Sequence, residues 1–409
     1  MKRSQERRKY FKLIELLGGM INHNCKLVLY RVNKAKNRKG INMRKAFGIF
    51  LLELLIIGIV TQGSILLAGE SNENPHHGIF AILRSKETND YLEKLVKLDT
   101  LDGITFYIGL TILAPEKGKY DWSLIDKVVD ACKEHHKKIN LAIIAGRWIP
   151  EWIYKDGADK FSWTLHQHNV NAGKSYASAP IPWDTVYLKA LKDVVAAIGK
   201  RYDNCPEIVT VQVTGPSLTN GLEANLNITK EQAKEIGYTQ EKYINAWKEM
   251  FQAFSTAFPQ KQLAWCIHDM FPEKRDPYPG RTIRDWAFKK YGKRFSLMCC
   301  YLPAESWFAR GNQAVDIWAE DDRIHRGAQL IDLYSAKKKA PENIYKALEN
   351  GAALNCSFYE IFAGDCITPE YYKEIVKFKK HYMIKRTHKQ QTQREQENEK
   401  QAYSPGMDF

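Results

Sequence analysis

No apolar run in this chain is followed by a glycine-rich phosphate turn, neither Gly-x-Gly-x-x-Gly nor the P-loop pattern. That removes the signature of dinucleotide and nucleoside-triphosphate sites built on a strand, a tight turn and a helix. Cys-x-x-Cys is also missing, and none of the eight cysteines has metal-ligand spacing. Neither a zinc ribbon nor a thioredoxin-like motif is therefore encoded. Most of the cysteines sit in apolar strand or helix contexts and read as small buried hydrophobes. Cys356 and Cys366 are the pair that an oxidising compartment would permit.

Positive charge is scarce where a nucleic-acid surface would need it. The chain carries +14 overall, but residues 1–45 hold fourteen Lys/Arg against two Glu. With that surplus and Glu53 removed, residues 70–409 keep only about +3. No nucleic-acid partner is expected.

Long apolar runs are equally few. The one that stands out begins at Ala46, behind Arg44 and Lys45, runs to Val60 and softens toward Ala68-Gly69, with Glu53 its only charge. A basic flank, an apolar stretch and small residues at the end are the layout of a secretory signal; the same stretch is long enough to serve as an uncleaved anchor. Four segments follow: a basic leader over 1–42, a signal or anchor over 43–69, a body over 70–384 and a charged, glutamine-rich tail over 385–409. The tail lacks apolar periodicity and reads as disordered. The expected location is extracytoplasmic, with membrane contact only through the N-terminal segment.

What the body does contain is rhythm. Apolar, β-branched strand patterns are expected at 78–83, 104–109, 139–145, 208–214, 263–267, 296–301, 327–333 and 354–361. Helical periodicity is expected between them, at 90–98, 188–202, 243–258, 341–350 and 370–382, with a further helix after Trp122. Eight strands alternating with helices over about 300 residues predict an α/β fold, a single-domain (β/α)8 TIM barrel. A doubly wound sheet is the alternative. In a barrel, function belongs to the loops at the C-terminal strand ends, and here those loops are rich in Trp, Glu, Asp and His.

The segment after the second strand, Leu113-Ala114-Pro115-Glu116-Lys117-Gly118-Lys119-Tyr120-Asp121-Trp122-Ser123-Leu124-Ile125-Asp126, resembles the corresponding segment of clan A glycoside hydrolases. Families five, ten and forty-two (β-galactosidase-like barrels) are the ones it is similar to. Pro115, Gly118, Tyr120, Asp121, Trp122 and Asp126 match the pattern, and Ala114 stands where the pattern has Glu. Arg147 to Trp152 is similar to the Pro-x-Trp segment after strand three. The resemblance implies an acid/base Glu after strand four and a nucleophilic Glu at the end of strand seven. Strand four here lacks the usual Asn-Glu, and the nearest carboxylate is Glu223. Glu360 resembles the strand-end nucleophile, although the count of strands puts it on the eighth.

Retaining hydrolysis needs two carboxyl groups flanking one bond. Glu223 as acid/base and Glu360 as nucleophile are therefore the expected catalytic pair. Glu305 is the reserve, with Asp269 and Asp365 behind it. Sugars present apolar C–H faces and rings of hydroxyls, so platforms and hydrogen-bonding side chains are expected together. Trp148, Trp152, Trp265 and Trp307 fall at or near strand ends. Arg147, Gln212, His268, Glu305 and Gln329 are further substrate-binding candidates, with Asn220 and Gln313 as weaker ones. His76-His77, His166-x-His168 and His268-Asp269 raise a metal-dependent hydrolase on the same barrel. Their placement, before strand one and in the middle of a loop, argues against it. No metal and no cofactor are expected, and the expected partner is a carbohydrate. A barrel that binds glycans without turnover is the competing class.

Overall fold

The computed structural model describes residues 76–164, 176–226, 228–268 and 278–383. The leader, the signal-like segment, the C-terminal tail, His166, His168 and Asp269 lie outside the described residues.

Eleven strands are present among the described residues: β1 (Gly78–Arg84), β2 (Gly103–Gly109), β3 (Lys138–Ile144), β4 (Lys160–Thr164), β5 (Tyr176–Pro180), β6 (Ile208–Gln212), β7 (Glu223–Ala224), β8 (Gln262–Ile267), β9 (Phe295–Leu302), β10 (His325–Leu330) and β11 (Phe358–Phe362). Eight of them run parallel in the order β6-β3-β2-β1-β11-β10-β9-β8, and β6 pairs with β8 to close the ring. Parallel strands need crossovers, and the helices between them supply these while covering the outer face. The result is the closed (β/α)8 barrel that the strand rhythm predicts. Glu360 stands on its eighth strand, β11.

The strand alternation sorts side chains into two cores. Outward residues such as Ile104, Phe106, Leu263, Trp265, Leu297 and Tyr359 join the helices in one large cluster. Phe80, Ala142, Ala264, Cys266, Met298, Cys300 and Phe358 form a second cluster inside the ring. Two glycines make room for it. A Cβ on Gly103 would meet the Lys138 carbonyl oxygen at 2.2 Å and the Phe80 ring at 2.4 Å, and one on Gly327 would meet Met298 Sδ at 2.2 Å. At the N-terminal end of the ring, His325 bridges Ser296 (3.1 Å) and Ser357 (2.8 Å), and the buried His76 ring lies 3.5 Å from that of Phe358, centroid to centroid.

The glycosidase-like segment is architectural. Gly118 takes a left-handed φ of 73° in its turn. Asp121 accepts the Ser123 amide at 2.9 Å as the helix Ser123–Glu134 begins. Tyr120 stacks on Trp122. Asp126 accepts bonds from Arg201 (2.7 Å) and Tyr202 (2.6 Å), tying this helix to the next long one, Thr185–Tyr202.

Candidate active site

Along β2, β3 and β6 the inward positions carry Thr105, Tyr107, Asn140 and Gln212, all polar where a barrel interior is ordinarily apolar. They converge on Glu360. Its Oε1 accepts three bonds, from Thr105 Oγ1 (2.9 Å), Asn140 Nδ2 (2.8 Å) and Gln212 Nε2 (2.8 Å). Its Oε2 receives only the Tyr107 hydroxyl, at 3.2 Å. The same hydroxyl makes a shorter bond, 2.7 Å, to Gln329 Oε1. Gln329 is the neighbour of Glu360 in the β10–β11 register.

Glu360 is 0% exposed. Burial pushes its carboxyl up to about 7 against the opposing pull of these four donors. Tyr107 is pushed well above the usual phenol range, first by burial and then by the Glu360 charge.

Glu223 reaches the same end of the barrel by a different route. Its two-residue strand β7 pairs with β8, placing Glu223 opposite Cys266. It is partly exposed, and its Oε2 accepts Asn225 Nδ2 at 3.1 Å. Cys266 and Cys300 feel the charge of both carboxylates. Burial raises both thiols, and the charges of Glu223 and Glu360 each push both of them further.

Gln212 and Gln329, of the remaining candidates, belong to the Glu360 network. Arg147 lies 4.5 Å over the Trp148 ring, and Trp148 is 40% exposed, in the loop after β3. Desolvation lowers Arg147 from its usual range. Trp152 is packed against the core and donates its indole N–H to the Ala114 carbonyl at 2.9 Å, a brace between two loops. The motif's substituted position therefore still works through its backbone. His268 follows β8 with its ring 4.8 Å from that of Tyr301. Glu305 and the 43%-exposed Trp307 lie in the loop after β9, with Lys339 3.8 Å from Glu305.

Trp265 is not brought to the site. It points outward with no exposure and packs edge-on against Trp247 of the helix Gln240–Ala257. One step of strand alternation decides this, since its neighbours Ala264 and Cys266 face inward. Asp365 is likewise structural, accepting the amides of Tyr334 and Ser335. Asn220 shapes its own loop through the Leu222 amide. Cys356 and Cys366 are not joined to each other: the Cys356 thiol donates to the Phe358 carbonyl at 3.1 Å and the Cys366 thiol to the Ile361 carbonyl at 3.8 Å. Among the described residues no group of three His, Cys, Asp or Glu is arranged to hold a metal.

Thr105, Tyr107, Asn140 and the two thiols were not singled out by sequence. The signal was available: each is a polar or polarisable residue in the inward phase of a strand that is otherwise apolar.

The family model for glycoside hydrolase family 42, β-galactosidase, matches residues 106–263, from the second barrel strand to the fifth. No curated protein matches the chain. Among solved structures, the catalytic domain of a β-amylase from Paenibacillus polymyxa superposes with a TM-score of 0.53 at 12% identity, over 76% of this chain and 99% of that one. A xylanase from Paenibacillus barcinonensis gives 0.45 at 11% identity, over 70% and 83% of the two chains. One from Thermotoga maritima gives 0.43 at 12% identity over the same shares. At such identities the β-amylase likeness speaks to the fold alone. The β-amylase likeness agrees with the (β/α)8 barrel, and the family match over residues 106–263 supports a glycosidase.

Proposed function

We propose that this chain is an exported retaining glycoside hydrolase in which Glu360 is the nucleophile, acting through Oε2, and Glu223 is the acid/base. The observation that carries the reading is the unequal treatment of the two Glu360 oxygens. Three donors on Oε1 suit an anion and fix the carboxylate plane. Oε2 has one long contact, and its donor already has a better partner in Gln329. A sugar that displaces the Tyr107 hydroxyl meets a desolvated, oriented oxygen.

Oε2 attacks the anomeric carbon, the glycosidic C–O bond breaks, and Glu223 gives its proton to the leaving oxygen. Glu223 then takes a proton from water, the water oxygen attacks the same carbon, and the Glu360 ester is released with net retention.

Attack needs the ionised form of Glu360, so kcat/KM should rise with pH through about 7. A panel of aryl glycosides tests this with wild type, Glu360→Gln and Glu223→Gln. Loss of activity is expected in the first variant, and a loss of roughly 10²–10⁴-fold in the second. NMR of the first-formed anomer should show retention. Equal rates for wild type and Glu360→Gln would remove Glu360 as nucleophile, and inversion would remove the double displacement. One observation favours a glycan-binding barrel without turnover, namely that Glu360 has no exposed surface; wild type inactive on the whole panel but retained by immobilised glycans would establish it. Support for export rests on the signal-like layout of residues 43–69, and fractionation of expressing cells checks it.

A further inference from the structure

Two thiols that the mechanism above does not use lie in contact inside the barrel mouth. Cys266 Sγ and Cys300 Sγ are 2.9 Å apart on the adjacent strands β8 and β9. Register pairs Cys266 with Met298, and Cys300 lies two residues further on the same inward face. Both stand near the C-terminal ends of their strands. The contact is directional: Cys300 donates to Cys266, Cys266 lies 3.9 Å from Gln212 Oε1 as its donor, and Gln212 donates to Glu360. The gap between the sulfurs exceeds a disulfide bond by only roughly 0.9 Å.

We propose that Cys266 and Cys300 are an oxidation site that closes to a disulfide across β8 and β9 under a hydroperoxide, and that closure removes the thiol donor that orients Gln212 on Glu360. Cys300, the more exposed of the two (8% against 1%), reacts first. Its sulfur attacks the peroxide, the O–O bond breaks, and an alcohol leaves with the thiol proton, giving a sulfenic acid at Cys300. The Cys266 sulfur attacks that sulfenic sulfur, the S–O bond breaks, and water leaves with the second thiol proton. One hydroperoxide is reduced by two electrons, and each thiol gives up one. In the extracytoplasmic compartment proposed above, where disulfides persist, the pair would stand closed. The cross-link itself is independent of the glycosidase reading, whereas its effect on turnover rests on it.

The test uses the full chain, reduced and then exposed to tert-butyl hydroperoxide. Remaining thiols are alkylated in denaturant and peptides are mapped without reduction. A Cys266–Cys300 linked pair is expected, with Cys132, Cys356 and Cys366 alkylated and the link reversed by a thiol reductant. Thermal melts should show a rise of roughly 5 °C on oxidation, absent in Cys300→Ala and in Cys266→Ala. Glycosidase kcat should fall at least two-fold in the closed form and recover on reduction. Both cysteines alkylated, over-oxidised singly, or joined to other partners would overturn the proposal, as would a linked form whose kcat equals that of the reduced enzyme. A chain inactive in both states would instead count against the glycosidase reading, and the peptide map would still decide the cross-link.

Discussion

Glu360 is held in a balance that its own chemistry sets. Burial raises its carboxyl to about 7, so the folded chain binds this proton more tightly than the unfolded chain does. Stability from this group is full below the unfolded value, about 4.5, and is lost as pH rises through about 7. Glu360→Gln removes the ionisation while keeping the contacts. The amide oxygen can accept from Thr105, Asn140 and Gln212, and the amide N–H can donate to Tyr107, whose proton stays on Gln329. At pH 8 this variant should be inactive and more stable than wild type, by roughly 3 kcal/mol at most. Denaturant melts at pH 8 and pH 5 check it, because the gain should vanish at pH 5. A variant less stable at pH 8 would mean that the four donors outweigh burial. Residues at this scale were half legible from sequence. A Glu at the end of an apolar strand is visible, as are Gln212 and Gln329. That Thr105 and Asn140 share one oxygen with Gln212 depends on three strands meeting a fourth, and no sequence interval records that.

Elements were far more legible, because period-two and period-3.6 patterns survive wherever one side of an element is buried. The strand expected at 104–109 is β2, which starts one residue earlier at Gly103, and the helix expected at 188–202 starts three residues earlier, at Thr185, behind the Asp184 cap. Two features escaped. The antiparallel pair β4–β5 lies between the strand expected at 139–145 and the helix expected at 188–202, where no strand was expected, and Pro180 ends it. The helix Tyr278–Tyr291 is interrupted in pattern by Pro279, Gly280 and several charges, so its apolar stripe is thin. Glycine at 103 belongs to this scale as well. Gly103→Ala drives a methyl into the Lys138 carbonyl and the Phe80 ring, and backbone of a paired strand cannot step aside. A loss of about 3 kcal/mol is expected in urea unfolding, toward the upper end of overpacking costs. Gly327→Ala should cost less, since Met298 can change rotamer. Equal losses would show that the Gly103 site relaxes.

Across the whole molecule, two buried titrating groups oppose each other from opposite ends of the barrel. His76, below the ring, is held well under its usual range, first by burial and then by His325 and His77. Its neutral form is kept in the fold, so stability falls as pH drops below about 6.5. Between about pH 4.5 and 6.5 that slope runs against the slope from Glu360, and the wild-type melting temperature should change little. His76→Leu should leave the Glu360 slope uncovered, with stability that declines steadily from pH 5 to pH 7. A melting series over that range reads the sign, and an unchanged profile would show that His76 does not titrate with folding.

The bonds to Glu360 cross sequence separations of 148, 220, 253 and 255 residues. Three of the four donors are made in the first third of the barrel's synthesis, yet their acceptor arrives on the last strand. Until β11 slots between β1 and β10, Thr105, Tyr107, Asn140 and Gln212 have no carboxylate to meet. A chain of such high contact order folds slowly, and a ribosome-bound intermediate lacking β11 holds no Glu360 for these donors to meet. The polar cluster inside the barrel is thereby completed last, a delay that comes from strand order alone.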